Sequence, residues 1–169
     1  YKNVYGKEDT LVTIQIDMLQ AERFGMYYTD ENGEKKLPYI IHRTSLGCYE
    51  RTLAYLIEHY AGALPTWMAP EQVRFLPVTD RAVDYCKEQA AKLTAQGYRV
   101  TVDTRSEKIG KKIRDAQMEK IPYMLIVGDR DIEAGTVSPR HRADGDLGAM
   151  TLDAFTAVLK DVVDNKLQK

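Results

Sequence analysis

The sequence predicts an α/β protein in two parts. Residues 65–169 form a mixed-sheet domain, and residues 1–64 are the end of an antiparallel-sheet domain. Strand and helix patterns alternate after residue 72, as βαβ units require. A seam over residues 61–70, AGALPTWMAP, separates the parts, because glycine followed by proline after a helical pattern marks a helix end.

The first part is predicted to run strand, hairpin, strand, helix. TLVTIQIDM alternates and predicts a half-buried strand, whose apolar face carries Val12, Ile14, Ile16 and Met18. Asn32-Gly33 predicts a hairpin, and LPYIIH, residues 37–42, is the return strand. A helix is predicted from about Ser45 to Tyr60, with core-facing residues Leu46, Tyr49, Leu53, Leu56 and Tyr60. These elements are too few to close a core.

The second part alternates regularly. Strands are predicted over residues 72–78, 97–103, 122–128 and 135–140. Helices are predicted over residues 81–95, 106–119 and 151–166. The strand PYMLIVG is almost wholly apolar, which is typical of a strand covered on both faces. The last helix is opened by Thr151 and Asp153.

Composition restricts the function classes. A hydrophobic content of 44% with 29% charged residues is typical of a folded globular domain. There is no apolar run long enough for a membrane span and no signal segment. Cys48 and Cys86 lie far apart and suggest no disulfide, so a cytoplasmic location is expected. A net charge of −1 indicates no partner class, so any nucleic-acid site has to be a local patch.

The stretch HRTSLGCYER, residues 42–51, leaves two interpretations open. Gly47 and Arg51 lie four residues apart, on one face of the predicted helix. Glycine lets a flat ligand approach the backbone, and arginine fits phosphate oxygens, so the pair is a candidate nucleotide contact. The alternative is a surface Arg51 paired with Glu50 or Glu58, and spacing alone favours it.

Two other polar residues of this part are ambiguous. His42 can ligate a metal, but a zinc site needs three or four ligands, and no other histidine or cysteine has ligand-like spacing with it. The residues alone favour a strand-end histidine with a hydrogen-bond partner. Gln15, between Thr13 and Asp17 on the polar strand face, either lines a cleft or faces solvent, which is the more usual outcome.

The sharpest feature of the second part is a basic helix within residues 104–120, which carry six Lys+Arg against three acids. Thr104 and Glu107 have capping-box spacing, and Ser106 is an alternative cap. The inward face is predicted to hold Ile109, Ile113 and Ala116, and the cations that point elsewhere are Lys108, Lys111, Lys112 and Arg114. Gly110 weakens the helix by about 1 kcal/mol relative to alanine, which indicates close packing or close ligand approach.

A cationic helix start at the carboxyl edge of a sheet suits an RNA backbone. Arg140, His141 and Arg142 extend this patch, and Arg105 and Tyr123 are candidates for stacking on bases. The alternative is an ordinary solvated basic helix.

Taken together, these stretches resemble the threonyl-tRNA synthetase family of class II synthetases. The matching stretches follow the family's order: TIQIDM, AERF, DENGEKK, PYIIHRTSLGCYER, IEHYAGALPTWMAP, RSEKIGKKIRDAQMEKIPYMLIVGD, EAGTVS and DLGAM. HR-x-x-LG-x-x-ER is similar to the threonyl form of motif 3, the third class II signature. The resemblance implies that residues 1–64 are the last strands and helix of a catalytic core. Residues 65–169 are then a three-layer α/β/α anticodon-binding domain.

The resemblance also implies roles for particular residues. Arg51 and Gln15 are the implied catalytic residues, and Gly47 and Cys48 join them around ATP and Mg²⁺. His42 is the implied last of three ligands to a Zn²⁺ ion that selects threonine. The implied contacts to anticodon bases lie at Arg105, Ser106, Lys108, Arg114, Asp131 and Arg140. Cys48, Ser106 and Asp131 stand where serine, asparagine and glutamate are usual in the family.

Further expectations concern the whole protein. The implied parent is a homodimeric threonine–tRNA ligase that uses threonine, ATP and threonine tRNA. Motifs 1 and 2, two zinc ligands and the editing domains of the family are not in this sequence, so the chain alone is expected to be inactive and free of zinc. The alternative is a stand-alone RNA-binding or protein-interaction module without catalysis.

Overall fold

A computed structural model describes residues 1–44 and 46–168. The chain divides into two compact units, Tyr1–Tyr60 and Ala61–Lys169. The division follows Tyr60, close to the predicted boundary after residue 64. Among the described residues, no helix has both the length and the apolar character that crossing a bilayer requires.

The described residues of the first unit form six elements. In chain order they are β1 (Ile14–Asp17), α1 (Gln20–Arg23), β2 (Tyr28–Thr29), β3 (Lys35–Lys36), β4 (Ile40–Arg43) and α2 (Tyr49–His59). β1 pairs with β4, and β2 with β3, both antiparallel. The predicted hairpin is confirmed, with Gly33 at a φ of 80° in its turn. The sequence did not predict α1.

The apolar residues predicted to face a core are largely exposed in this unit, in line with the expectation that its elements are too few to close one. Ile14 and Ile16 on β1 are 67% and 63% exposed, and Tyr49 and Leu53 on α2 are 75% and 52% exposed. The predicted helix start at Ser45 lies outside the described residues, and α2 begins at Tyr49. A two-stranded sheet and one longer helix offer no second layer, so these apolar faces have nothing within the unit to cover them.

The second unit is built around one mixed sheet. Its elements are β5 (Val73–Pro77), α3 (Ala82–Ala95), β6 (Val100–Val102), α4 (Ile109–Met118), β7 (Tyr123–Val127), α5 (Asp129–Ala134), β8 (Thr136–His141), β9 (Gly145–Asp146), β10 (Met150–Thr151) and α6 (Leu152–Asp164). The strand order is β10-β8-β7-β5-β6, and β9 adds to β8. β5 runs parallel to β6 and β7, and β8 runs antiparallel to β7, which confirms the predicted mixed sheet.

Helices cover both faces of this sheet. On one face α3 and α6 bury a core that includes Phe75, Leu125 and Phe155. On the other face α4 closes a smaller core with Leu76 and Met124. The three-layer α/β/α arrangement predicted for this part is therefore confirmed, and the Thr151 hydroxyl caps α6 as expected.

Candidate nucleic-acid interface

The carboxyl ends of the parallel strands β5, β6 and β7 meet at one edge of the sheet. Ligands of open α/β sheets bind at this edge, where connections leave neighbouring strands in opposite directions. An open depression of about 360 Å³ lies here, lined by residues 78–80, residues 105–108 and Lys112. The basic segment singled out in the sequence therefore borders a depression in a favourable place for a ligand.

Arg105 is held firmly at this edge. Its Nε and Nη2 donate to Asp103 at 2.9 and 2.7 Å, and its Nη1 donates to Asp115 at 2.9 Å. The hydrogen bond from Arg105 lowers the pKa of the Asp103 carboxyl, and these acids raise the pKa of the guanidinium. The side chain is still 50% exposed, so it presents a fixed flat face of the kind on which RNA bases stack.

Lys112 corrects the expectation that all the lysines of α4 point outward. It is only 4% exposed, and its Nζ donates to the carbonyls of Pro77 and Asp103 at 3.1 Å each. These carbonyls are the last of β5 and the first after β6. Lys112 lies three residues after Ile109 and four before Ala116. This spacing places it on the inward face of α4 and could have indicated its burial from the sequence.

The start of α4 also differs from the prediction. The helix begins at Ile109 with Lys108 at its N-cap, and neither Thr104 nor Ser106 caps it. Lys108 and Arg114 are exposed, and neither forms an ion pair within the part of the chain that the structure describes. Both cations are therefore available to an anionic partner.

Asp131 on α5 and Arg140 on β8 are not among the residues that line the depression. The Asp131 carboxylate accepts from the Gly128 backbone N–H and from the Ser138 hydroxyl, both at 2.9 Å, which ties the start of α5 to β8. Arg140 follows two residues after Ser138, on the same face of β8. Its Nε is buried and has no hydrogen-bond partner among the described residues.

Three residues proposed from sequence are not part of this surface. His141 is 3% exposed and Tyr123 is 2% exposed, so neither ring is open to a base. Arg142 donates to the carbonyls of Ala63, Leu64 and Lys120 at 2.7–2.9 Å. Its guanidinium holds the seam segment against this unit, so the predicted role of Arg142 in the basic patch is wrong.

In the first unit, Gly47 and Arg51 do not share a helix face, because α2 begins only at Tyr49. Gly47 has a φ of 68°, and a Cβ built on it would lie 1.7 Å from the Leu11 carbonyl oxygen. Backbone packing therefore requires a glycine at position 47. Arg51 Nη1 donates to the Thr10 carbonyl at 2.8 Å.

The predicted pairing of Arg51 with Glu50 or Glu58 is not found among the described residues. Glu58 accepts a hydrogen bond from the Val4 backbone N–H, and Glu50 accepts one from the Cys48 thiol at 2.9 Å. The hydrogen bond from Cys48 lowers the pKa of Glu50. Arg51 is held by a main-chain carbonyl and not by either carboxylate.

Gln15 and His42 face each other across β1 and β4. His42 Nε2 lies 3.1 Å from Asp17 Oδ2, so the partner expected for a strand-end histidine is present. Hydrogen bonds from the Gln20 and Leu19 backbone N–H groups, followed by the one from His42, lower the pKa of Asp17. The described residues contain no cluster of three metal-binding side chains.

The second unit has the fold and the basic carboxyl edge of an RNA-binding domain, and family comparisons agree with this class. Residues 72–162 match the family described as "Anticodon binding domain", and residues 1–60 match "tRNA synthetase class II core domain (G, H, P, S and T)". The chain belongs to the family of synthetase anticodon-binding domains, joined here to part of a class II core.

The similar curated proteins are threonine–tRNA ligases. One from Clostridium perfringens (strain SM101 / Type A) is 59% identical over 92% of this chain. One from Clostridium botulinum (strain Eklund 17B / Type B) is 54% identical over 98% of it. The chain spans about a quarter of their length, 24% and 26% respectively.

A solved structure shares the fold. The crystal structure of the RNA binding domain of threonyl-tRNA synthetase from Cryptosporidium parvum Iowa II superposes with a TM-score of 0.79 at 31% identity. The match covers 95% of this chain and 41% of that one.

Proposed function

We propose that the second unit binds the anticodon loop of threonine tRNA, and that the protein to which this chain belongs is a threonine–tRNA ligase. The observation that carries the proposal is the set of polar groups around the carboxyl edge of the sheet. A fixed guanidinium at Arg105 and a free cation at Lys108 line the depression, and the free cation Arg114 and the unpartnered Nε of Arg140 lie on α4 and β8 of the same unit. Asp131 and Ser106 add acceptor and donor groups that can read base edges.

The chemistry favours RNA over a protein partner. Phosphates attract cations that lack acidic neighbours, and single-stranded loops are read by stacking on guanidinium planes and by hydrogen bonds to base edges. Arg105 suits base stacking because two carboxylates hold the plane of its guanidinium in place. Asp131 suits hydrogen bonding to base edges, although its carboxylate already accepts hydrogen bonds from Gly128 and Ser138.

In the whole protein, Arg51 is proposed to stabilise triphosphate charge as pyrophosphate leaves, with Gln15, Gly47 and Cys48 around the nucleotide. In this chain the Arg51 guanidinium donates a hydrogen bond to the Thr10 carbonyl, and the Leu11 carbonyl lies against Gly47. A nucleotide therefore fits only if that segment moves. A homodimer, a cytoplasmic location and Mg²⁺ belong to the same proposal for the whole protein.

Zinc does not fit this chain on its own. His42 is the one family ligand position present, its Nε2 already lies beside Asp17, and the described residues place no third ligand near it. A zinc ion is proposed only for the whole protein.

The function is tested by titrating fluorescently labelled RNA stem-loops into the 169-residue chain at matched salt. The threonine anticodon stem-loop is expected to bind at least about tenfold more tightly than the same stem with a scrambled loop, a difference of about 1.4 kcal/mol. Equal affinities would refute anticodon reading.

Catalysis by the chain alone is a separate question. We expect no threonine-dependent exchange of pyrophosphate into ATP from the purified chain, because Arg51 and Gly47, two of the residues proposed for ATP, contact the chain's own backbone. Exchange above the level of a heat-inactivated sample would contradict this expectation, and would leave the RNA-binding proposal untouched.

A further inference from the structure

Gly110, the second residue of α4, has no structural reason to be glycine. Glycine weakens a helix relative to alanine, and it is normally retained for a positive φ or for tight packing. Gly110 has neither reason, because its φ is not positive and a Cβ built on it would meet no atom within 4 Å. Of the two explanations that the sequence left open, close packing is not found among the described residues, and close approach of a ligand is left.

The flank of α4 that carries Gly110 can be assigned from its ion pairs. Asp115 accepts from Arg105 beside β6, and Glu119, just after the helix, accepts from Arg74 on β5. These acids mark the β6 side of the helix. At about 100° per residue, Gly110 lies about 140° around the helix from Asp115, and so faces the side of β7 and β8.

β8 presents its polar face on that same side. Arg140 pairs across the sheet with Met124, and Ser138 pairs with Ile126. Directly paired residues point to the same face of a sheet. Met124 and Ile126 belong to the core under α4, so Ser138 and Arg140 lie on the face that α4 covers in part. Gly110, near the carboxyl ends of the strands, and Arg140, level with Met124 near the start of β7, therefore lie toward opposite ends of one strip of surface between α4 and β8.

The cations next to Gly110 indicate what occupies the strip. Arg114 follows one turn later, and side chains on a helix lean toward its N-terminus, so Arg114 leans toward Gly110. Lys108, the N-cap residue two positions before Gly110, borders the depression and does not share the face of Gly110. Both cations are exposed, and the structure gives neither of them an ion pair with a described residue. A bare backbone one turn from the free cation Arg114 fits the ribose–phosphate chain of a nucleic acid better than a base edge or a peptide.

We propose that Gly110 is a positioning residue at which the ribose–phosphate backbone of the bound RNA loop passes close to α4, along the strip between α4 and β8. This inference rests on the proposed function and deepens it. A side chain at position 110 would displace the RNA backbone from Arg114 and Arg140, whatever the loop sequence. The contact therefore contributes to affinity and not to discrimination between loops.

The test uses Gly110→Ala and Gly110→Gln in the full chain, with Thr94→Ala as control. Thr94 is exposed on α3, in the opposite helix layer, and its replacement also improves helix propensity. Both Gly110 variants are expected to unfold at the wild-type urea concentration or a higher one. Affinity for the threonine anticodon stem-loop is expected to fall about fivefold for alanine and more for glutamine, with a parallel fall for the scrambled loop. Thr94→Ala is expected to bind like wild type.

Two results would overturn the proposal separately from the function. Affinities of both Gly110 variants within about twofold of wild type would show that no ligand approaches this position. A loss confined to the threonine loop would show base reading in place of a backbone contact. If the wild-type chain binds no stem-loop, the proposed function fails, and this inference fails with it.

Discussion

Replacing Arg140 by alanine is expected to reduce affinity for the threonine anticodon stem-loop by about 10- to 100-fold, equivalent to about 1.4–2.8 kcal/mol. The guanidinium Nε is buried and has no hydrogen-bond partner among the described residues. Native proteins rarely leave such groups unpaired, and a ligand is one of the ordinary explanations. Arg140 also follows two residues after Ser138, whose hydroxyl donates to Asp131. Fluorescence titration at fixed salt measures the effect.

Two variants make this result specific. Lys87→Ala removes one positive charge from the exposed face of α3, on the other side of the sheet, and is expected to change affinity by less than about twofold. Arg140→Lys keeps the charge but loses the planar fork, so it is expected to bind between wild type and alanine. Wild-type affinity in Arg140→Ala, with the fold intact by circular dichroism, would exclude Arg140 from the interface.

Replacing Lys112 by methionine is expected to lower the free energy of unfolding by about 2–3 kcal/mol. Methionine fills a similar volume, but it cannot donate to the carbonyls of Pro77 and Asp103, which would lose a charged hydrogen-bond donor in a buried position. Urea denaturation followed by circular dichroism measures the change. Because those carbonyls lie where the loops after β5 and β6 begin, RNA affinity is also expected to fall.

The neighbouring lysine supplies the matched control for this variant. Lys111 is exposed and pairs with Glu107 at 2.5 Å, so Lys111→Met is expected to change stability by no more than about 0.5 kcal/mol. Equal urea midpoints for the two methionine variants would mean that Lys112 contributes nothing as a buried donor, and its assigned part in holding the two loops would be wrong.

The fold of the second unit could be predicted because local patterns and tertiary packing agree there. The apolar run PYMLIVG became β7, covered on both faces, and the helical spacing of Cys86, Ala90 and Leu93 became the buried face of α3. The sequence did not predict α5, because a six-residue helix between Gly128 and Gly135 is too short to show a period.

The first unit shows where a pattern and a structure can separate. Alternation on β1 and helical spacing on α2 correctly indicated which faces are apolar, but burial depends on a second surface that this unit does not contain. The helix bounds predicted from the sequence were also inaccurate. Placing the start of α2 near Ser45 put Gly47 inside a helix, whereas the residue lies in a positive-φ turn before it.

Much of the candidate site depended on the resemblance and not on spacing. Charge count singled out the segment around α4, but it could not separate the buried Lys112 from the exposed Lys108 and Arg114. Nor could it show that the Arg142 guanidinium donates hydrogen bonds to the carbonyls of Ala63 and Leu64. The partner that such a side chain contacts depends on which strand ends meet in the folded unit. That is a property of the tertiary structure.

The central claim is that RNA binds at the carboxyl edge of the sheet, on the side that carries α4. Mapping amide NMR shifts during titration with the threonine anticodon stem-loop tests it most directly. The account predicts perturbations in residues 78–80, 103–114, 128–131 and 138–140, with α3 and α6 unchanged. Perturbations concentrated on α3 and α6 would contradict it.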